Sequence, residues 1–350
     1  MTKKVCVGKV PIGGGAPVTI QSMTNTETRD VEATVSQILA LEEAGCEIIR
    51  LSVYDMDCAR ALPRIKQKIH IPLVADIHFD YRLAIAAAEN GADKLRINPG
   101  NIGGESRVRA LCQCAKAHKL AIRVGVNGGS LESDLLRKYG GPTPEAMVES
   151  ALSHVRLLEN EGFFDIVISL KASNVKNTVE AYRLIQKQVD YPLHIGVTEA
   201  GLGEDALVKS AAGLGALLLD DIGDTMRVSI TGDPVQEIFA AKSILKALNI
   251  RHEGVQIVSC PTCGRCNVQL EEIVQRVQKE LPQKGKPITV AVMGCAVNGP
   301  GEAKEADVGI AFGKDNGVLF KNGEQFASGD AEAMIRLLIK EANSLVGGTF

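Results

Sequence analysis

From residue 17 to about 245, short apolar runs rich in Val, Ile and Leu alternate with amphipathic, Ala-rich segments. The runs fall at 18–22, 47–53, 73–76, 94–98, 121–126, 166–170, 194–197 and 225–230. Continuous apolar stretches of this length, bounded by turn residues, predict buried parallel strands. Between them lie segments with helical spacing, among them residues 31–44, 82–90, 106–118, 144–161, 175–189 and 204–213. Eight strand-and-helix units predict a (β/α)8 TIM-type barrel. An open doubly wound sheet would carry a glycine-rich dinucleotide turn. Gly13-Gly14-Gly15 precedes the first strand, and Gly201-Leu202-Gly203 lacks the third glycine.

The repeat ends near Leu248, and residues 250–254 read as a linker. Beyond the linker the chain takes up a smaller α+β pattern: a strand into Cys260, a helix over 268–281, a strand over 288–293, a strand over 308–312, a hairpin turning at Lys321-Asn322-Gly323, and a helix over 331–344. The expectation is therefore an α/β chain, with a barrel over 1–250 and a second domain over 251–350.

Inside the predicted strands a second pattern recurs. Arg50, Arg96, Arg123 and Arg227 each interrupt an aliphatic run. Side chains alternate along a strand, so each arginine shares its face with the small or polar residue two positions on, and that face looks into the barrel mouth. A buried arginine is costly unless paired, so the set needs either acidic partners or an anionic ligand. Acids near strand ends include Asp76, Glu199, Asp221 and Asp224. Lys171, Asn127 and His194 extend the donors around the carboxyl ends, where barrel proteins hold their sites. Guanidinium and ammonium groups match phosphate oxygens, which makes a phosphate-bearing ligand the expectation.

The second domain carries different chemistry. Ser259-Cys260-Pro261-Thr262-Cys263-Gly264-Arg265-Cys266 places three cysteines at two-residue spacing on a Pro/Gly turn, and Gly294-Cys295 adds a fourth at the end of a strand. This is metal-ligand spacing. A zinc ribbon usually has two matching knuckles, whereas here the second half offers one cysteine in a Gly/Pro-rich loop followed by Glu302. The asymmetry favours an iron-sulfur cluster over zinc.

These two motifs, with Gln21-Ser-Met-Thr-Asn-Thr26, Ala75-Asp-Ile-His78, Gly125-Val-Asn127, His194-Ile-Gly-Val-Thr-Glu-Ala-Gly201 and Asp221-Ile-Gly-Asp-Thr-Met-Arg-Val-Ser229, resemble the 4-hydroxy-3-methylbut-2-enyl diphosphate synthases of the non-mevalonate isoprenoid pathway. The resemblance covers nearly the whole chain. It implies a 4Fe-4S cluster on Cys260, Cys263, Cys295 and Glu302, leaving Cys266 as a spare thiol. It implies that a substrate diphosphate binds through Arg50, Arg96, Arg123, Asn127, Lys171, Arg227 and Ser229; Asp76, His78 and His194 join this set on their own positions at strand ends. Glu199 resembles the catalytic carboxylate; read from the residues alone, it serves equally well as a partner for an arginine. Asp76 and His78 read as ligand contacts, orienting residues or a helix-entry pair. A carboxylate oxygen is harder than a thiolate, so Glu302 leaves its iron more open to a substrate oxygen.

The reaction implied is reductive ring opening of 2-C-methyl-D-erythritol 2,4-cyclodiphosphate with loss of water. A small external carrier must deliver the electrons, since no flavin or nicotinamide fingerprint is present, and the resemblance implies that it is flavodoxin or ferredoxin. The competing functions are an iron-sulfur electron carrier and a zinc-bearing barrel hydrolase. An electron carrier has no use for the arginines.

Composition narrows the setting. A net charge of −3, aromatic content of 4% and the absence of Trp leave no basic footprint and few stacking platforms for nucleic acid. No run approaches the roughly 20 apolar residues that span a bilayer. Nine cysteines without a secretory h-region predict thiols and metal ligands in the cytoplasm. One geometric point bears on assembly. The eighth helix returns the chain to the barrel's amino-terminal face, and reaching the mouth from there needs about 30 Å, or nine extended residues at ~3.3 Å each. A homodimer with composite active sites, each cluster domain covering the partner's barrel, is the expectation, as the resemblance also implies.

Overall fold

The computed structural model describes residues 1–251, 253–282, 284–314 and 316–347. The chain divides after Arg251 into two compact units.

The first unit opens with a hairpin, β1 (Val5–Val7) and β2 (Val10–Ile12), too short to stand out in the hydrophobic pattern. Val5, Val7 and Ile12 pack against Ile48, Val74, Ala121 and Val167, residues at the starts of barrel strands, and so floor the barrel. Asp224 belongs to this end. It accepts from Thr2 Oγ1 at 2.6 Å and from the Leu193 backbone N–H at 2.8 Å, so it is no partner for an arginine.

Eight parallel strands build the barrel: β3 (Thr19–Met23), β4 (Ile48–Ser52), β5 (Leu73–Asp76), β6 (Lys94–Ile97), β7 (Ala121–Asn127), β8 (Ile166–Lys171), β9 (His194–Ile195) and β10 (Thr225–Met226). Neighbours in sequence are neighbours in the sheet, and β10 pairs back onto β3. The seam between β8 and β9 closes through an Ile168–Leu193 bridge, with Ile168 N–H donating to Pro192 O at 2.9 Å. The expected (β/α)8 barrel is the fold.

Around it lie α1 (Val31–Ala44), α2 (Met56–Lys66), α3 (Tyr81–Glu89), the short α4 (Pro99–Ile102), α5 (Glu105–Ala117), the short α6 (Ser133–Tyr139), α7 (Pro144–Asn160), α8 (Val175–Ile185), α9 (Gly203–Leu219) and α10 (Val235–Ala247). Their ends obey local chemistry. Asp30 caps α1 by accepting from the Ala33 N–H, and Gly45 stops it in the left-handed conformation at φ 102°. Thr143 caps α7, with Pro144 at its first position. Aliphatic side chains between strands and helices form the main core.

Two elements differ from the sequence reading. The helix expected over 204–213 runs on to Leu219, because Gly213 is a packing position: a Cβ there would lie 2.6 Å from Val197 Cγ2. The last two strands are short, ending at Ile195 and Met226 rather than at 197 and 230. Beyond them the two backbones crowd together, since a Cβ on Gly196 would meet Arg227 O at 2.8 Å. Arg227 and Ser229 therefore stand on the loop after β10.

The second unit is a five-stranded sheet: β11 (Val255–Ser259), β12 (Ile288–Met293), β13 (Val308–Phe312), β14 (Asn316–Lys321) and β15 (Glu324–Asp330). The first three strands are parallel and the last three antiparallel. Asn322 and Gly323, at φ 51° and 83°, make the predicted hairpin turn. Helices α11 (Leu270–Glu280) and α13 (Ala331–Val346) contribute to the larger core, and the short α12 (Gly299–Glu305) packs against a separate cluster with Ala291, Met293, Ala311 and Phe320.

Candidate functional site

Most barrel interiors are filled with branched apolar side chains. This one is filled with charge. Arg50, Asp76, Lys94, Arg96, Arg123, Lys171 and His194 are all buried on the strands, and Arg227 stands at the end of β10. The registry brings them together: Asp76 pairs with Arg96, Arg96 with Arg123, and Asn127 with Lys171. Gly125 supplies room, for a Cβ there would lie 2.7 Å from Arg96 Nε.

Carboxylates are too few to match these cations. Asp76 meets Arg96 Nη1 at 3.1 Å and Arg50 Nε at 3.7 Å. Burial opposes its charge, yet Arg50, Arg96 and Arg123 together hold its carboxyl below the usual range. Glu237, from α10, meets Arg227. Among the described residues Arg123 makes an ion pair with neither, and Asp76 acts on it only through its field. Arg123 is 1% exposed, its Nε and Nη1 find no hydrogen-bond partner among the described residues, and burial together with Arg50 and Arg96 pushes it well down. Lys171 is pushed well down for the same reasons: burial first, then Arg123, Arg50, Arg227 and Arg96. Burial brings Arg50 down to about 10. An arginine does not surrender its proton in practice, so these shifts express a stored electrostatic cost that an anion would relieve.

His194 is fully buried, with Nδ1 3.5 Å from Thr225 Oγ1 and Nε2 unpartnered, and burial keeps it neutral. His78 sits further out, half exposed, with Nδ1 3.2 Å from Arg96 Nη1. Asn127 and Ser229 are half-buried. Glu199 is exposed on the loop after β9 and makes no ion pair among the described residues; its backbone is left-handed at φ 54°. The alternative role as an arginine partner is not the one the fold gives it. Asp221 is likewise exposed.

Three residues at this site escaped the sequence reading: Glu237, Met23 and Lys94, which is buried on β6. Glu237 accepts from Arg227 Nε and Nη2, Ser22 Oγ and the Ile230 N–H, all within 3.2 Å. Its signal was a glutamate lying among the buried positions of a helix, beside Ile238, Ala240 and Ala241. Met23 places its sulfur against Arg50 Nη2 at 2.8 Å and Arg227 Nη1 at 3.7 Å. Nothing in the sequence separates it from a core methionine.

In the second unit, Cys260 comes directly after β11 and Cys295 just after β12, so both leave the same edge of adjacent parallel strands. The thiols sit among donors. The Gly294 N–H donates to Cys260 Sγ at 3.3 Å. N–H groups of Val297, Asn298 and Gly299 hold Cys295 below the ordinary thiol range, and the Arg265 N–H does so for Cys263. Such donors stabilise thiolates, the form that binds iron. Cys266 turns inward instead, donating to Val268 O at 3.3 Å; a Cβ on Gly294 would lie 2.5 Å from its sulfur. Glu302 is exposed on α12.

Among the described residues, no three His, Cys, Asp or Glu side chains converge tightly enough for a single metal ion. Thiols beside backbone donors, with a carboxylate nearby in sequence, match the chemistry of an iron-sulfur ligand set.

The fold and these groups define a class: a TIM-type barrel with a buried cluster of cations, joined to a separate cysteine-bearing domain. The chain matches the GcpE TIM-barrel domain over residues 2–242 and the GcpE protein C-terminal domain over residues 256–344. It belongs to the GcpE family. Similar proteins include the 4-hydroxy-3-methylbut-2-en-1-yl diphosphate synthase (flavodoxin) of Caldanaerobacter subterraneus, 55% identical over 99% of this chain and 98% of its own length. The protein of that name from Geobacter sulfurreducens is 55% identical over the same shares of the two chains. Among solved structures, a dihydropteroate synthase from Stenotrophomonas maltophilia matches with a TM-score of 0.52 at 14% identity, covering 71% of this chain and 98% of that one. At that distance the likeness concerns the barrel alone. No helix among the described residues is long and apolar enough to cross a membrane.

Proposed function

We propose that the chain converts 2-C-methyl-D-erythritol 2,4-cyclodiphosphate to (E)-4-hydroxy-3-methylbut-2-enyl diphosphate. The observation that carries this reading is Arg123, a fully buried guanidinium with no carboxylate of its own, among Arg50, Arg96, Lys171 and Arg227. An electron carrier or a zinc hydrolase gives no reason for such a cluster. A dianionic diphosphate does.

In this reading Arg50, Arg96, Arg123, Lys171 and Arg227 bind the diphosphate, Asn127 and Ser229 add neutral donors at the rim, and Asp76 and Glu237 fix the angles of the arginines. Glu199, exposed to the mouth, delivers a proton to the departing hydroxyl so that it leaves as water. Cys260, Cys263, Cys295 and Glu302 would hold a 4Fe-4S cluster, which when bound supplies two electrons one at a time. The ring carbon–oxygen bond opens as they arrive. Flavodoxin, the donor in the relatives' names, is assigned as electron donor, with ferredoxin as the alternative. The cytoplasm is assigned as the compartment, because free thiols persist there.

The reading is tested by reconstituting the purified chain anaerobically with iron and sulfide, then supplying cyclodiphosphate with reduced flavodoxin or reduced ferredoxin. Formation of the linear hydroxybutenyl diphosphate is expected. A colourless protein, lacking the broad band near about 400 nm, would return the second unit to zinc. A coloured protein that reduces a carrier but leaves the cyclodiphosphate intact would make it an electron carrier.

We also infer a homodimer with composite sites, on the chain path from the barrel's last helix. Mixing a Cys295→Ser chain with a Glu199→Ala chain under subunit exchange should restore activity. If mass measurement confirms exchange and none returns, each site lies within one chain.

A further inference from the structure

Beneath the arginines lies a cation that binding at the mouth leaves unexplained. Lys94 shares the interior face of β6 with Arg96, two residues on, and is fully buried. Its Nζ donates to Gln21 Oε1 at 3.3 Å. Around it, Nε2 of Gln21, Nε and Nη1 of Arg123 and Nε2 of His194 are buried without hydrogen-bond partners among the described residues. The charged and titratable groups of this interior are Arg50 from β4, Arg96 on β6, Arg123 from β7, Lys171 from β8, His194 from β9 and Arg227 after β10. The carboxylates are already engaged, Asp76 by Arg50 and Arg96, and Glu237 by Arg227 and Ser22.

We propose that Lys94 is neutral in the free protein and takes up a proton when the diphosphate seats above it, so that this buried side chain makes substrate binding proton-linked. The inference rests on the reading of the barrel as a diphosphate site. The arginines keep their protons in any practical range, so the crowded cations can relieve their repulsion only at the lysines. Burial, and then Arg123 and Arg50, hold the Lys94 ammonium well below the ordinary lysine range. Two negative charges arriving on the arginines offset the local positive field and raise it again. The ligand does not supply the proton, because each phosphorus of a cyclic diphosphate carries one strongly acidic oxygen that is already ionised. The bound form therefore holds more protons than the free form, so affinity falls as pH rises, by about tenfold per pH unit for each proton taken up.

The experiment is anaerobic titration calorimetry of the cluster-loaded protein with the cyclodiphosphate near neutral pH, in two buffers of different ionisation enthalpy. The wild type should take up on the order of one proton or more. Lys94→Met and Lys94→Arg, one never charged and one always charged, should each take up about one proton fewer. Should the methionine variant fail to fold, the arginine variant decides alone. Zero uptake by the wild type, or wild-type uptake in a folded variant, overturns the proposal while leaving the diphosphate site standing. Failure of the wild type to bind the cyclodiphosphate at all overturns both.

Discussion

Glu237 reaches out of α10 into the barrel and holds Arg227 with both oxygens, taking Nη2 at 3.0 Å and Nε at 3.1 Å. The carboxylate is 2% exposed and also takes Ser22 Oγ, so it ties the first strand of the barrel to the loop after the last. Arg227 has left its strand by this point, and Glu237 is what orients it.

Glu237→Ala should therefore act at two levels. Leaving Arg227 without its partner should destabilise the fold by about 3–5 kcal/mol. Glu237→Gln keeps the shape and should fold, yet raise the dissociation constant for the cyclodiphosphate by roughly tenfold or more, as expected for a weakened charge-assisted contact. Denaturant unfolding and calorimetry check the pair; an unchanged affinity in the glutamine variant would reduce Glu237 to a structural tie.

Arg123 should behave in the opposite way. With no carboxylate to satisfy it, Arg123→Met removes a repulsive buried charge and should stabilise the free protein by about 1 kcal/mol or more. The same change should weaken cyclodiphosphate binding by about 1.5–3 kcal/mol. Thermal unfolding with and without ligand reads both, and loss of stability in the free form would mean that the charge is matched within the fold.

Glu199 stands at φ 54°, a conformation that costs a side-chain-bearing residue about 1–2 kcal/mol. Glu199→Gly should raise the melting temperature by about 2–4 °C while abolishing turnover. A glycine variant that remains active would remove the carboxylate from the chemistry.

The thiols divide by where they point. Cys260→Ser, Cys263→Ser and Cys295→Ser should each lose bound iron, whereas Cys266→Ser, whose sulfur is turned onto Val268 O, should keep it. Glu302→Cys should keep iron and turn over poorly, because a fourth thiolate is displaced less readily than a carboxylate. Iron and sulfide content of the purified variants, set beside their reductive activity, tests the assignment.

The barrel, the second domain, the four strand arginines and the two cysteine motifs are all legible in the order of amino acids alone. Each of these is a local signal: an apolar run, a residue of the wrong polarity inside it, or a spacing along one turn. Neighbouring units pair in sequence order, so a repeat of strand and helix closes into a barrel without further instruction.

Which charges meet is a matter for the folded molecule. Asp224 lies near a predicted strand end and near Arg227 in sequence, yet it fastens the N-terminus, while Glu237 on the next helix takes the arginine. Lys94 reads as the polar start of a strand and proves to be buried on the face it shares with Arg96. Met23 and Gly125 look like ordinary core and turn residues until the sulfur is found against Arg50 and the missing Cβ against Arg96. One physical reason is common to all of them. Alternation along a strand fixes which face a side chain takes, but its partner on that face comes from another strand or helix, and only closure of the barrel selects it.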